Sequence, residues 1–147
     1  MSVETTSTPG AGWTGHALRA LEEAGYRAGG ARRRVVELLG RERCTLTALQ
    51  IDARLDGVGR ATVYRTLEQL AELRLVQRLD IGGEAAAFER VDPDGHHHHL
   101  VCERCGRVAP FSDRKLERAI EAVSRSSEFE VSGHEVVLRG ICPRCGG

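Results

Sequence analysis

RATVYRTLEQL, the stretch from Arg60 to Leu70, predicts a helix with two different sides. One side carries apolar residues at helical spacing, namely Val63, Leu67 and Leu70. The other side carries hydrogen-bonding residues, namely Thr62, Arg65 and Gln69. A core helix needs no such polar stripe, whereas a helix in the DNA major groove needs Arg, Gln, Thr or Tyr side chains near its N-terminal end. The stretch therefore favours a DNA-recognition helix.

The elements on either side of this helix predict a winged helix-turn-helix domain at residues 13–92. Upstream, apolar spacing predicts three short helices, at residues 16–24, at 31–39 and after Thr45. Downstream come two extended runs, at residues 76–81 and 85–91. They are joined through Gly82 and Gly83, which is typical of a hairpin.

Charge is distributed unevenly, although the chain has 21 basic and 21 acidic residues. From Arg27 to Arg65 there are nine arginines against four acidic residues, a local excess of five positive charges. An ordinary solvated helix face can also produce such an excess. The polar stripe of the predicted recognition helix is what favours nucleic acid.

The second half predicts a small α/β domain at residues 96–147. HHHHLVCERCGRV predicts an extended segment, followed by a helix at 113–126 with Ser112 as its N-cap. The apolar side of that helix consists of Leu116, Ala119, Ile120 and Val123. A last strand is predicted at 129–140. Together with a disordered tail at residues 1–12, this describes an α+β protein with two domains.

Composition predicts a cytoplasmic protein without a membrane span. The 147 residues are 41% hydrophobic and 29% charged, and no apolar run is long enough to cross a bilayer. The opening residues, MSVETTSTPGAG, lack the basic start and the apolar stretch of an export signal. Five cysteines leave one without a partner, which argues against a secreted disulfide scaffold.

Four of the cysteines form two Cys-x-x-Cys pairs, Cys102 with Cys105 and Cys142 with Cys145. Two such turns can close a tetrahedral shell of four sulfurs around zinc. A redox dithiol or a disulfide clip is the alternative, and a reducing compartment disfavours it. A shell without an open position predicts a structural zinc that stabilises the fold.

Four consecutive histidines, His96 to His99, run directly into the first Cys-x-x-Cys pair. On an extended segment, His96 and His98 face one side while His97 and His99 face the other. One run can therefore contribute to two metal sites, and the remaining candidate ligands are Glu89, Glu117 and His134. Mixed His and carboxylate shells suit Zn(II), Fe(II), Mn(II) or Ni(II), and a solvated polar turn is the alternative.

Taken together, these segments resemble the ferric uptake regulator (Fur) family of bacterial metal-responsive repressors. The likeness is carried by RATVYRTLEQL, HHHHLVCERCGRVAPFSD and GHEVVLRGICPRC, and it extends from about Ala17 to Cys145. It implies a homodimer with an N-terminal winged helix that binds palindromic operator DNA and a C-terminal α/β dimerisation domain. It also implies that metal loading sets the two DNA-binding domains at the spacing of the operator half-sites.

The resemblance further implies roles for individual residues. It places structural zinc on Cys102, Cys105, Cys142 and Cys145. It places the regulatory metal on Glu89, His97 and His99. It places a third metal on His96, His98, Glu117 and His134.

On the DNA side, the match of TVYR puts Tyr64 and Arg65 on the recognition helix, beside Thr62 of the polar stripe. Arg27 stands where the family has a basic residue that reaches the minor groove. The connection before the helix, Asp56-Gly57-Val58-Gly59, is shorter than is usual for the family.

Two departures from the family pattern concern the regulatory site. Where many members place a histidine of the DNA-binding domain into this site, this chain reads Cys44-Thr45-Leu46. Cys44 is either a substitute ligand from one position away or a small buried side chain, in which case this ligand is absent. The segment from Glu89 to His96 is slightly longer than in several members, so Asp92 competes with Glu89 as the carboxylate ligand.

We therefore predict a metal-dependent transcriptional repressor controlling iron or zinc uptake, with Fe(II) or Zn(II) as its regulatory metal. A peroxide-sensing regulator of the same family is one alternative, and it would favour Asp ligands around Fe(II). A zinc-binding interaction module without DNA binding is another. No catalytic motif or activated nucleophile indicates an enzyme.

Overall fold

The computed structural model describes residues 11–27, 29–82, 85–91 and 96–147. The chain forms two compact units, Met1–Gly95 and His96–Gly147. Helices and sheets occur in both, which confirms the predicted α+β class. The predicted domain boundary at residues 92–95 lies outside the described residues. Within the described part of the chain, no helix combines the length and the apolar character that crossing a membrane requires.

In chain order, the N-terminal unit contains α1 (Ala11–Glu23), α2 (Gly30–Arg41), β1 (Leu46–Thr47), α3 (Ala48–Arg54), α4 (Arg60–Glu72), β2 (Val76–Leu79) and β3 (Ala87–Arg90). Helix α1 begins before its predicted start, so Gly12, predicted to lie in a disordered tail, is helical. Trp13 explains this, because its indole packs against the core and its Nε1 donates to the Leu75 carbonyl at 3.1 Å. Residues 1–10 of the predicted tail are outside the described ranges.

The predicted apolar side of α4 is buried, with Val63, Leu67 and Leu70 each 0 or 1% exposed. Burying each such side chain contributes about 1.5–3 kcal/mol to stability. The prediction for Gln69 was wrong. It was placed on the polar outer side of the helix, but the residue is buried, with only 9% of its surface exposed. The C-terminal half of α4 is enclosed by the core, and mainly its N-terminal half, around Tyr64, reaches the surface.

The sheet of the N-terminal unit has the strand order β1-β3-β2. Strands β2 and β3 pair antiparallel as the predicted hairpin, with Gln77 opposite Glu89. The short strand β1 was not predicted, because two residues carry no periodic signal and its pairing partner, Ala87–Phe88, is remote in sequence.

The C-terminal unit contains β4 (His98–Cys102), β5 (Val108–Phe111), α5 (Arg114–Ser126), β6 (Val137–Gly140) and α6 (Pro143–Gly146). Strand β4 is central, pairing antiparallel with β5 and parallel with β6. The predicted final strand was too long at its start, because only residues 137–140 lie opposite β4.

Helix α5 differs from its prediction at its cap, and its apolar side is partly open to solvent. Its N-cap is Asp113, whose carboxylate accepts from the N–H groups of Lys115 and Leu116 at 2.8 and 2.9 Å. Ser112 was predicted there, but Asp113 adds a negative charge at the positive end of the helix. The apolar side is not buried, and Val123 is 68% exposed.

Candidate metal centres and DNA-contacting helix

The four paired cysteines converge at one end of the C-terminal sheet. Cys102 ends β4, Cys105 follows in the next turn, and the second pair begins at the N-cap of α6. Their four Sγ atoms all lie within 4.8 Å of one another, and those of Cys105 and Cys142 are 3.7 Å apart. A tetrahedral shell with zinc–sulfur bonds of about 2.3 Å separates its sulfurs by about 3.8 Å. A disulfide needs about 2.0 Å, so the arrangement fits a four-sulfur zinc shell.

Main-chain N–H groups stabilise one of these sulfurs as a thiolate. The N–H groups of Cys105 and Cys142 lower the pKa of Cys102 to about 6, and Cys142 N lies 3.3 Å from its Sγ. The pKa of Cys145 is raised to about 12 because the sulfurs of Cys142 and Cys105 surround it. Four thiolates can therefore coexist here when a cation neutralises them.

The protein's own contacts also hold the two cysteine turns together. Gly106 adopts a φ of 74°, and its N–H donates to the Cys102 carbonyl at 2.9 Å, which closes the first turn. The Arg104 guanidinium donates to the Cys145 carbonyl and clips this turn to the second one. These hydrogen bonds of the chain therefore help to bring the four sulfurs close together.

A second cluster joins the side of β4 that carries His98 to helix α5. The ligand atoms of His96, His98, Glu117 and His134 lie within 4.8 Å of one another. Glu117 bridges two of the rings, with Oε1 2.5 Å from His98 Nε2 and Oε2 3.0 Å from His134 Nε2. The hydrogen bond from His98 lowers the pKa of Glu117 and keeps it ionised. Three imidazoles and a carboxylate form a donor set suited to a divalent metal.

The residues predicted for the regulatory metal come from both units. In the N-terminal unit, Glu89 is a buried residue of β3, and Cys44 is a partly buried free cysteine between α2 and β1. In the C-terminal unit, the rings of His97 and His99 have centroids 4.9 Å apart. Asp92, the competing carboxylate, lies outside the described residues.

Two supporting contacts were missed by sequence reasoning. Gln77 donates its amide N–H to Glu89 Oε1 at 2.6 Å, and the Val136 main-chain N–H donates to His98 Nδ1 at 3.3 Å. The first had a usable signal, because the hairpin register places Gln77 opposite Glu89. The second had none, since a main-chain donor leaves no mark on residue identity.

The predicted DNA-contacting residues lie at the N-terminal half of α4 and in the loop before α2. Tyr64 is 43% exposed, Arg65 is exposed, and Thr62 is partly buried. Arg27 is exposed, and its carbonyl accepts a hydrogen bond from the Arg32 guanidinium. These side chains present hydrogen-bond donors to solvent.

Comparison with known proteins gives one consistent result. Residues 23–139 match the model of the ferric uptake regulator family. The chain is 40% identical to the ferric uptake regulation protein of Bacillus subtilis over 92 residues, which is 61% of this chain and 62% of that relative's length. This alignment therefore spans less than two thirds of that relative. It is 32% identical to the peroxide operon regulator of the same species over 133 residues, which is 88% of this chain and 90% of that protein.

A solved structure agrees with these matches. The crystal structure of the Vibrio cholerae ferric uptake regulator superposes with a TM-score of 0.75 at 31% identity, covering 85% of this chain and 98% of that one. The family model spans most of the chain, and the predicted resemblance to the ferric uptake regulator family is confirmed. This chain belongs to the ferric uptake regulator family of transcriptional regulators.

Proposed function

We propose that this protein is a homodimeric, metal-dependent repressor that binds palindromic operator DNA and controls the uptake of iron or zinc. The observation that carries the proposal is the position of the histidine run. Ligands typical of divalent metals begin at His96, the residue at which the C-terminal unit starts. One chain thus joins a winged helix directly to a metal-binding unit.

The structural metal in this proposal is Zn(II) held by Cys102, Cys105, Cys142 and Cys145. The 3.7 Å separation of two of the sulfurs supports it, because this is the edge length of a zinc–sulfur tetrahedron. Four sulfurs leave no position for water or substrate. The role of this site is therefore to stabilise the C-terminal unit.

The regulatory metal in this proposal is Fe(II) or Zn(II), held by Glu89, His97 and His99, with Cys44 and Asp92 as further candidate ligands. The hydrogen bond from Gln77 supports the role of Glu89, because it fixes the orientation of the Glu89 carboxylate, as supporting hydrogen bonds do for metal-ligating carboxylates. A metal held by these residues would supply Lewis-acid bonds to imidazole and carboxylate donors and would favour the conformation that binds DNA. It acts as a corepressor only through its different affinity for two conformations.

A third metal position is proposed on His96, His98, Glu117 and His134. The short contacts from His98 and His134 to Glu117 support it, because a metal ion can take the place of the protons in these hydrogen bonds. Glu117 lies in the first turn of α5, so occupancy of this cluster ties that helix to β4.

DNA binding is proposed for α4, with Thr62, Tyr64 and Arg65 towards the major groove and Arg27 towards the minor groove. The exposure of Tyr64 and Arg65 supports this, because a recognition helix must present its N-terminal residues to base edges and phosphates, and the Arg65 charge is proposed to contact a phosphate. Arg65→Ala is expected to weaken operator binding. Unchanged binding would favour the interaction-module alternative.

The homodimer is supported by apolar surface on the C-terminal unit. Helix α5 has no buried residue, Val123 is 68% exposed and Phe129 is 83% exposed. Leu100 and Leu138, paired on adjacent strands, are 43 and 49% exposed. Apolar surface of this extent is typical of an interface, and a second copy is the proposed occupant.

The test of the regulatory role is a double variant, His97→Ala with His99→Ala. We expect a folded, zinc-containing dimer whose affinity for operator DNA no longer rises when Fe(II) or Zn(II) is added. A gel-shift titration with each metal measures this, using Arg139→Ala as a control on the same unit. If the double variant keeps the metal-dependent gain in affinity, the proposal is wrong.

A further inference from the structure

We infer that Arg34 is a positioning residue of the recognition helix, and that it holds the turn before α4 instead of contacting a DNA phosphate. The inference rests on the proposed DNA binding and goes beyond it. Nine arginines lie between Arg27 and Arg65, and composition treats them as equivalent. Their contacts differ, because some of these arginines bind other parts of the protein and others extend into solvent.

Arg34 extends from α2 to the connection between α3 and α4. Its Nη1 donates to the main-chain carbonyl of Asp56 at 2.5 Å. The next residue, Gly57, has a φ of 76°, and a Cβ built on it would lie 4.0 Å from the same Nη1. The guanidinium therefore lies over the turn at the point where the chain reverses. A charged donor makes this a strong type of hydrogen bond.

The turn needs such support because α4 has a weak beginning. Its N-cap, Gly59, provides no side-chain hydrogen bond to the first turn of the helix. The main-chain bond across the connection, from Val58 N to Leu55 O, is long at 3.4 Å. An ion pair between Arg60 and Asp52, with Nε to Oδ2 at 3.2 Å, spans the same connection. The start of α4 is thus oriented by side chains from outside its own cap.

The neighbouring Arg33 makes a matched contrast. It is exposed, and its side chain makes no hydrogen bond or ion pair with any residue in the described ranges. The same is true of Arg65 on α4, within those ranges. Two adjacent arginines of α2 therefore differ, because one is engaged by the turn and the other is available to solvent.

The consequence for DNA binding follows from what α4 carries. Thr62, Tyr64 and Arg65 all lie within its first two turns, so a change in the direction of the helix start displaces all three. Loss of Arg34 should weaken binding without removing a phosphate contact.

Salt dependence of DNA binding separates positioning from phosphate contact. Full-length, Zn(II)-loaded protein is titrated with duplexes selected from a randomised pool, at several salt concentrations. Arg34→Ala should lower affinity by about tenfold with an unchanged slope of log K against log salt. Arg65→Ala should reduce the slope by about 0.9, the value for one lost phosphate contact. The inference is overturned if Arg34→Ala reduces the slope as Arg65→Ala does.

Amide hydrogen exchange gives a second readout that does not involve DNA. In Arg34→Ala, exchange at Val58, Thr62 and Val63 should accelerate, whereas Arg33→Ala should leave these amides unchanged. Gly57→Ala disturbs the same turn from the backbone and should reproduce the effects of Arg34→Ala. Equal exchange in the Arg33 and Arg34 variants would overturn the inference. If wild-type protein binds no duplex, the proposed function fails, and exchange still decides the role of Arg34.

Discussion

The Nδ1 atom of His98 accepts a hydrogen bond from the main-chain N–H of Val136 at 3.3 Å. A neutral imidazole that accepts at Nδ1 carries its proton on Nε2, and in this structure Nε2 faces Glu117. A metal bound through Nε2 requires the proton on Nδ1 instead. Metal binding by His98 therefore competes with the hydrogen bond from Val136.

We expect saturation of this cluster with Zn(II) to accelerate amide exchange at Val136 by about tenfold, because the N–H loses its acceptor. Exchange followed by mass spectrometry or NMR during a Zn(II) titration measures this. His134→Ala, which removes another proposed ligand, serves as the control and should keep Val136 protected. Full protection at saturating Zn(II) in the wild type would mean that His98 does not bind through Nε2.

Removal of one paired cysteine should destabilise the C-terminal unit. Cys102→Ser is expected to lose the structural zinc and several kcal/mol of stability, since structural zinc contributes on the order of 10 kcal/mol to small domains. Cys44→Ser is the matched control and should retain this zinc. Elemental analysis and thermal unfolding measure both effects. Equal zinc content in the two variants would contradict the four-sulfur site.

Retention of this zinc should depend on pH. The pKa of Cys102 is lowered to about 6, so its thiolate persists above that pH and is lost as the pH falls through it. The stabilisation is therefore present at neutral pH and declines on acidification. In the metal-free protein, the affinity for Zn(II), measured by competition with a chromogenic chelator, should fall as the pH drops through about 6, where Cys102 gains a proton. An affinity that does not change across this range would contradict the expectation.

A charge on the apolar side of α5 should dissociate the dimer. Val123→Glu places a carboxylate on the exposed apolar surface, and we expect at least about tenfold weaker self-association. Arg118→Glu introduces the same side chain on the opposite side of the helix and should have little effect. Sedimentation velocity over a concentration series compares the two. Equal association would place the interface elsewhere.

Loss of the amide that holds Glu89 should weaken the regulatory metal site. Gln77→Ala is expected to lower metal affinity by about tenfold, because supporting hydrogen bonds orient ligand carboxylates. Arg78→Ala, at the next position of β2, is the control. Calorimetric titration with Mn(II) measures the affinities. Indistinguishable affinities for the two variants would remove Gln77 from the site.

Arg74 offers a stability prediction independent of metal. It follows α4 with a φ of 57°, a conformation that glycine adopts without strain. Arg74→Gly should raise the free energy of unfolding by about 0.5–1 kcal/mol, whereas Arg74→Ala should give no gain. Denaturant unfolding can be followed through Trp13, the chain's single tryptophan, whose indole is bonded to Leu75.

Local patterns were sufficient for some features of the fold and insufficient for others. The apolar side of α4 and the hairpin follow from spacing and turn residues, and both were predicted. The apolar side of α5 also follows from spacing, but its exposure does not, because periodicity identifies an apolar side without indicating whether the same chain covers it. The prediction that Gln69 lies on the polar outer side was wrong for a related reason. The exposure of side chains decreases along α4 as the helix enters the core.

The candidate sites also contain some features that local sequence patterns predict and others that they do not. The alternation of His96 to His99 needs only the period of an extended strand, and spacing alone pairs the cysteines. The contacts of Arg34 with Asp56 and of Gln77 with Glu89 depend on tertiary structure. Long-range hydrogen bonds to main-chain atoms, as at Val136, lie beyond any pattern of residue types.

Because β4 lies in the centre of its sheet, its alignment with β5 and β6 decides which histidines belong to which candidate metal site. Its partners on both sides fix which histidines face Glu117. A shift of β4 by one residue would exchange the two histidine pairs between the clusters without changing a single side chain. Insertion of one residue between His99 and Cys102 should therefore scramble metal selectivity, and insertion of two should restore the facing. In this chain, the hydrogen bonds between strands determine the side of the sheet on which each imidazole lies.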